Sequence, residues 1–236
     1  MTLISAVGQA QALDGREAGL QATHTALNQL GAAAPNFGIV IASHQYQPRE
    51  VAAGVTSLTG DMPLIGFSAP AGLTREGIHP HSVVVALLSG DLRAEVHWLP
   101  GYSQSGRETA NRLAQLTSNE TVRQSLLFFA DGFNGDAEQL CNSLPGTSVP
   151  VMGGLSSGDM HTGNTYQIAG TQAGTGGLAA AILRGGSTKI GVGFAHGWDP
   201  VGNQFRVTRS RGFWLRTLDG RPASETYAQI FGYPAR

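Results

Sequence analysis

The chain repeats itself, and the repeat limits what it can fold into more than any other property. The stretch FGIVIASHQYQPREVAAGVTSLTGDMPLIGFSA, starting at Phe37, aligns without a gap on QSLLFFADGFNGDAEQLCNSLPGTSVPVMGGLS, starting 87 positions later at Gln124. Within it, Pro63-Leu64-Ile65-Gly66 falls on Pro150-Val151-Met152-Gly153. A helix start precedes each copy: Asp14 and Ser105 each stand three residues before a glutamate, Glu17 and Glu108, as in a capping box. Self-similarity of this kind implies two copies of one supersecondary unit, about 13–101 and about 102–204.

Periodicity fills in each unit. Leu13, Leu20, Leu27 and Leu30 predict an apolar stripe on the first helix, and Leu113 and Leu116 do the same for its counterpart. Strands follow at 39–42 and 126–130, apolar on both faces, as strands are when covered on both sides. A second helix (Val51, Val55, Leu58; in the copy Ala137, Leu140, Cys141, Leu144) leads to the PLIG or PVMG strand. Each unit then adds strands: 82–89 and 93–99 in the first, 165–169, 177–184 and 189–195 in the second. Turns at Ser89-Gly90-Asp91 and Arg184-Gly185-Gly186 are short enough for hairpins. The small apolar side chains of 178–183 predict a strand packed closely on both faces. The expected fold class is α/β: two duplicated α-β-α-β units extended by antiparallel strands, in one mixed sheet or two facing sheets with helices outside.

Composition removes several functions. A chain of 236 residues that is 41% apolar builds its core without disulfide or metal staples. Its net charge is −1, with a single lysine, Lys189, among 15 basic residues, so no global field draws it to nucleic acid or an anionic membrane. Cys141 is the only cysteine, which excludes an internal disulfide and multi-cysteine metal sites and fits a reducing cytosol. The N-terminal residues carry no signal-peptide pattern. The longest strongly apolar run, 83–88, falls far short of the roughly 20 residues that span a bilayer. A cytoplasmic protein without nucleic-acid or membrane partners is the expectation.

Gly154-Leu155-Ser156-Ser157-Gly158 matches the nucleophile elbow of esterases and follows a strand. An elbow needs a helix directly behind its serine, and here Asp159-Met160-His161-Thr162-Gly163-Asn164 continues as a loop. Hydrolysis through Ser156 therefore ranks below binding, and no enzyme activity is expected. The equivalent stretch Gly66-Phe67-Ser68-Ala69-Pro70 is also a strand running into a serine loop, and Pro70 forbids an immediate helix. Paired serine-glycine loops at the carboxyl ends of matching strands are either plain turns or the floor of a small-ligand cleft, whose amides and hydroxyls bind a carboxylate or phosphate. His79 with His81, and Asp159 with His161, lie two apart, yet neither pair has a third ligand at metal spacing, so no metal is expected. His24, His44 and His97 are isolated, and read as structural or exposed. In GVGFAHGWDPVGNQFRVTRSRG, His196 and Trp198 flank Gly197 and would face the same way in an extended segment, as the wall of a pocket or as a core plug. Alternation puts Arg209 and Arg211 on the side of Phe205 and Val207, where a partly buried guanidinium calls for an anion, unless the strand end emerges into water.

The ordered set GGLSSGD, TYQIAG, GLAAAILRG, IGVGFAHGWDPVGNQFRVTRSRG and LRTLDGRPASETY resembles the FIST N-terminal domain family over roughly residues 34–217. Gly153, Gly154, Ser156, Asp159, His196, Gly197, Trp198 and Pro200 fall on the family pattern. The resemblance implies a sensory, ligand-binding module of signal transduction without catalysis, with amino acids or similar anionic or zwitterionic metabolites as ligands and a signalling output protein as partner. It also implies an alternative, haem and gas sensing, for which His196 or His161 would be the axial ligand. Otherwise no cofactor is expected. Two departures stand out. Phe67 occupies the position of a cysteine in the first serine loop, and residues 218–236 hold a single helix where the family opens a FIST C-type module. The chain is then either a truncated piece or a single-module member, with a FIST N-type domain over 1–217. The expected binding set is Gly66, Ser68, Gly153, Gly154, Ser156, Ser157, Asp159, His196, Trp198 and Arg209.

Overall fold

The computed structural model describes residues 3–117, 124–144, 149–185, 190–211 and 214–232. The chain divides into two units, residues 1–192 and 193–236.

In the first unit, β1 (Ile4–Ala10) leads into α1 (Gly15–Leu30), whose first turn is capped by Asp14 accepting from Glu17 N at 2.8 Å. β2 (Phe37–Ser43), α2 (Pro48–Thr59) and β3 (Leu64–Ala69) follow. Next come a hairpin, β4 (Ala71–Thr74) with β5 (Gly77–Pro80), and the long strand β6 (Val83–Ser89). The chain then enters β7 (Arg93–Leu99) and α3 (Gly106–Thr117), where Ser105 Oγ accepts from Glu108 N at 3.2 Å, as its sequence pattern predicts. β8 (Gln124–Asp131), α4 (Ala137–Asn142), β9 (Val151–Ser156), β10 (Gln167–Ala169), β11 (Gln172–Gly174) and β12 (Leu178–Arg184) complete the unit.

One sheet has the order β1-β6-β2-β3-β10-β11, the other β7-β12-β8-β9. The first four strands of the one and the four of the other share both order and sense. β2 runs parallel to β3 as β8 does to β9, and β6 lies antiparallel between β1 and β2 as β12 does between β7 and β8.

Three apolar layers hold the unit. Ala18, Ala22, Ala26 and Val55 of the helices pack on Val40, Leu64 and Val85 of the first sheet, and Leu113 and Leu140 pack on Leu126, Phe128 and Ile182 of the second. Between the sheets lies a third cluster drawn from both, including Phe37, Ile65, Phe129, Ala179 and Ala181. The architecture is α/β with two facing sheets and helices outside, one of the two arrangements expected from the sequence. β12 is buried on both faces, as its small apolar side chains require.

Three expectations are corrected. Strands 82–89 and 93–99 do not form a hairpin: β6 pairs with β1 and β2, whereas β7 pairs with β12, so the turn at Ser89-Gly90-Asp91 hands the chain from one sheet to the other. Residues 190–195 form no strand, and Lys189 and Gly186 lie outside the described residues. The buried face of α1 is not the leucine stripe. Leu13 and Leu20 are exposed, and Ala18, Gly19, Ala22, Thr23 and Ala26 are buried instead. Small residues win because α1 lies directly against the backbone of α2: a Cβ on Gly54 would come within 2.1 Å of Arg16 O, and one on Gly19 within 2.7 Å of Val51 O.

The second unit contains β13 (Val207–Arg211), β14 (Trp214–Leu218), β15 (Arg221–Pro222) and α5 (Ala223–Phe231), with the three strands in one antiparallel sheet. α5 begins where the LDGRPA segment predicts. No described helix is long and apolar enough to cross a membrane.

Candidate functional site

The parallel pairs β2/β3 and β8/β9 direct their carboxyl ends into loops, and the structure joins the two serine loops directly. Ser68, at the end of β3, is fully buried. Its Oγ donates to Ser157 O at 2.9 Å and accepts from Tyr166 N at 2.9 Å. The backbone bond returns, with Ser157 N donating to Ser68 O at 2.8 Å. Ser156, also buried, accepts at Oγ from Gln167 Nε2 at 2.7 Å. These contacts make segment 156–167 the tie between the two sheets.

The sequence reading missed the charged member of this region. Asp131, at the end of β8, is buried and takes amide hydrogens from Phe133 N and Asn134 N at 2.9 Å and Gly176 N at 2.8 Å, with Asn134 Nδ2 close by. Burial pushes its carboxyl up. The Thr165 hydroxyl and the amides of Gly176, Phe133 and Asn134 more than offset that and hold it below the usual carboxylate range. The Thr165 hydroxyl biases the carboxylate by proximity, although its alignment falls short of a hydrogen bond. On the far side of the Asp131 loop, a Cβ on Gly135 would meet the Tyr102 ring at 2.2 Å. The Tyr102 hydroxyl, buried and near Asp131 and Asp136, is pushed up to about 12 by desolvation and then by those charges. Tyr166, donating to Ser43 O at 2.7 Å, is raised by burial and by Tyr46.

Among the described residues, several buried polar atoms along this tie have no hydrogen-bond partner: His44 Nδ1, Thr165 Oγ1 and Gln167 Oε1. His44 packs against Gly158, where a Cβ would lie 3.1 Å from the histidine Cβ and 2.0 Å from Asn164 O. Asp159 shapes the loop by accepting from His161 N at 2.8 Å. That bond, more than the nearby imidazoles of His161 and His44, holds its carboxyl below the ordinary range.

Seven of the expected site residues, Gly66, Ser68, Gly153, Gly154, Ser156, Ser157 and Asp159, belong to the first unit. Gly66 sits inside β3, where a Cβ would come within 2.6 Å of Val40 O, so its small size serves strand packing. Gly153 serves packing likewise against Phe128 O at 2.1 Å, while Gly154 faces open space. Ser68 and Ser156 have their hydroxyls engaged in hydrogen bonds within the protein. His196, Trp198 and Arg209 belong to the second unit. Trp198 is 83% exposed, not a core plug, and its amide donates to His196 Nδ1 at 3.2 Å. Arg209 is exposed on β13, whose register shifts on both sides of it, so strict alternation does not put its guanidinium on a buried face.

The haem alternative needs an axial histidine within an apolar enclosure. His161 and His196 are both exposed, and the residues around them do not supply that enclosure, so they do not fit haem. No group of three or more metal-ligating side chains occurs among the described residues.

A groove of about 510 Å³ lies beside β7 and α3, lined by residues including His97, Trp98, Arg112, Leu116 and Gln172. Arg112 donates to Pro100 O at 3.1 Å and belongs to none of the described ion pairs. His97 Nε2 lies 3.1 Å from Glu95 Oε1 without the alignment of a hydrogen bond. Sequence reading gave no signal for this groove, because its polar residues come from three separate elements.

The chain is 26% identical over 231 residues to an uncharacterized protein of Mycobacterium bovis and to one of Mycobacterium tuberculosis, covering 95% of this chain and 58% of each relative. The chain therefore spans little more than half the length of the curated relatives it matches. Among solved structures, a cyanuric acid hydrolase from A. caulinodans matches 79% of this chain and 72% of its own at 12% identity and a TM-score of 0.37, too low to assign a fold. The FIST N domain profile matches residues 36–221, most of the chain, with the strand ends and serine loops inside it. The chain belongs to the FIST N domain family, a sensory module.

Proposed function

We propose that this chain is a sensor that binds a small anionic or zwitterionic metabolite, such as an amino acid, at the loop segment joining its two sheets, and passes the change to a signalling partner. The observation that carries this reading is the run of buried, unpartnered hydrogen-bonding atoms along the tie: His44 Nδ1, Thr165 Oγ1 and Gln167 Oε1. A buried polar group without a partner costs about 1–3 kcal/mol, so such a cluster is relieved by a polar ligand or by water. A ligand here touches loops of both sheets and can bias their packing by its differential affinity for two arrangements. In this reading Ser68, Ser156 and Ser157 position the loops, and Asp159 at the rim selects for an amino group.

Thermal-shift screening against amino acids and related carboxylates tests the proposal. A reproducible hit should disappear in Asp159→Asn and His44→Ala. A hit that survives both and is lost in Arg112→Ala moves the site to the groove beside β7. The absence of any hit counts against sensing of this ligand class.

A hydrolase reading is not favoured. Ser156 Oγ is buried and bonded to a glutamine amide, which cannot accept its proton as a histidine would. A fluorophosphonate probe should leave Ser156 unlabelled.

A further inference from the structure

Within the first unit, one strand edge and one hairpin lack the partner that their counterparts in the other half have, and they match a pair that already forms inside the chain. The outer edge of β3 is covered by β10, antiparallel, with Ile65, Gly66 and Phe67 opposite Ala169, Ile168 and Gln167. The outward-facing groups of β3 are used there: Leu64 O accepts from Gly170 N at 2.7 Å, and Ser68 N donates to Tyr166 O at 2.9 Å. The corresponding positions of β9, displaced by 87 residues, are Val151, Gly153 and Leu155. Within the first unit, no described strand pairs with that edge of β9.

The hairpins show the same imbalance. β10–β11 follows β9, with β10 packed over β8 and β12; β4–β5 follows β3, with β4 packed over β2 and β6. They hold the same place in the two halves. β10 also pairs across to the other sheet, whereas β4 and β5 pair only with each other among the described strands. Leu73 and Ile78, directly opposite each other in that hairpin, are 71% and 74% exposed.

Free edges are normally blunted by charge, and β7, the other outer strand of its sheet, carries Arg93, Glu95 and His97. β9 has no charged residue, and Leu155 at its end is 46% exposed.

We propose that the chain self-associates by adding the β4–β5 hairpin of one copy to the free edge of β9 on a second copy, the intermolecular form of the β10–β3 pairing. Each copy carries one donor hairpin and one acceptor edge, so reciprocal exchange closes a dimer and one-way exchange gives a chain of copies. This goes beyond the ligand reading and does not depend on it. The hairpin's backbone supplies hydrogen bonds, and Leu73 and Ile78 supply the apolar contact.

Sedimentation velocity of the full chain from about 1 to about 100 µM should show association, weakened about tenfold or more by either of two variants. Leu155→Lys charges the acceptor edge. Leu73→Lys with Ile78→Glu charges the donor while keeping an opposite-charge pair across the hairpin. All three positions are exposed, and an unchanged circular dichroism spectrum and melting temperature establish that the variants are folded. Mixing the two variants restores one intact donor and one intact acceptor, so a heterodimer should form where neither variant associates alone. A wild-type chain that stays monomeric throughout overturns the proposal, as does association that both variants leave intact or that mixing fails to restore.

Discussion

Asp131 keeps a charge in a buried place because amide hydrogens converge on it from two loops, 132–134 and 176. Replacing it with asparagine sets an amide NH₂ against those donors. Asp131→Asn should therefore cost about 1–3 kcal/mol at neutral pH in urea denaturation. The pH dependence follows from the direction of the shift. The folded carboxyl lies below its unfolded value of about 3.9, so its stabilisation is full above that pH and is lost as pH falls through the folded value. The stability gap between wild type and Asp131→Asn should accordingly be constant from pH 7 to about 5 and narrow below about pH 4. Nothing in the sequence flags this residue. Its repeat counterpart is His44, and one aspartate after a strand has no spacing to recognise. The serines, by contrast, were legible as a pair. Both lie at the ends of matching strands, one position out of register in the repeat, where Ser68 falls on Leu155 and Ser156 on Ala69; only the fold shows that their hydroxyls bond within the protein.

At the scale of elements, α1 and α2 meet through glycine and alanine. Gly54→Ala places a methyl group against Arg16 O, with both helices anchored on the first sheet, and should cost about 1–3 kcal/mol by urea denaturation. Leu20→Ala, on the exposed side, should change stability by less than about 0.5 kcal/mol. The buried strands and the caps of α1 and α3 were readable, because apolar runs and capping pairs are local signals. The buried face of α1 was not. A stripe search weights large side chains, and here close backbone approach selects small ones. Nor was the crossing at Gly90, since a tight glycine turn serves a hairpin and a change of sheet equally well. β1 escaped notice because Ile4, Val7 and Ala10 alternate only loosely with polar neighbours, and three of its seven residues are exposed.

Across the first unit as a whole, the two sheets are coupled by the Phe37–Phe129 layer and by the hydroxyl of Ser68. Ser68→Ala leaves Ser157 O and Tyr166 N without that partner and should lower stability by about 1–3 kcal/mol. Because the shared layer binds both sheets, near-UV and far-UV circular dichroism of this unit should lose signal in one coincident transition. Separate midpoints would mean that the sheets melt independently. The same coupling gives the loop tie its value to a sensor, since no rearrangement there leaves either sheet untouched.

The order of strands also dictates how the molecule is born. In the four-strand pattern common to the two sheets, the strand emerging last, β6 or β12, takes the seat between two strands made earlier. A nascent chain that has cleared the ribosome only to residue 177 thus holds β7 and β8 with no neighbour to join them. Shortening the gene product there would not trim an edge; it would remove the keystone of half the body.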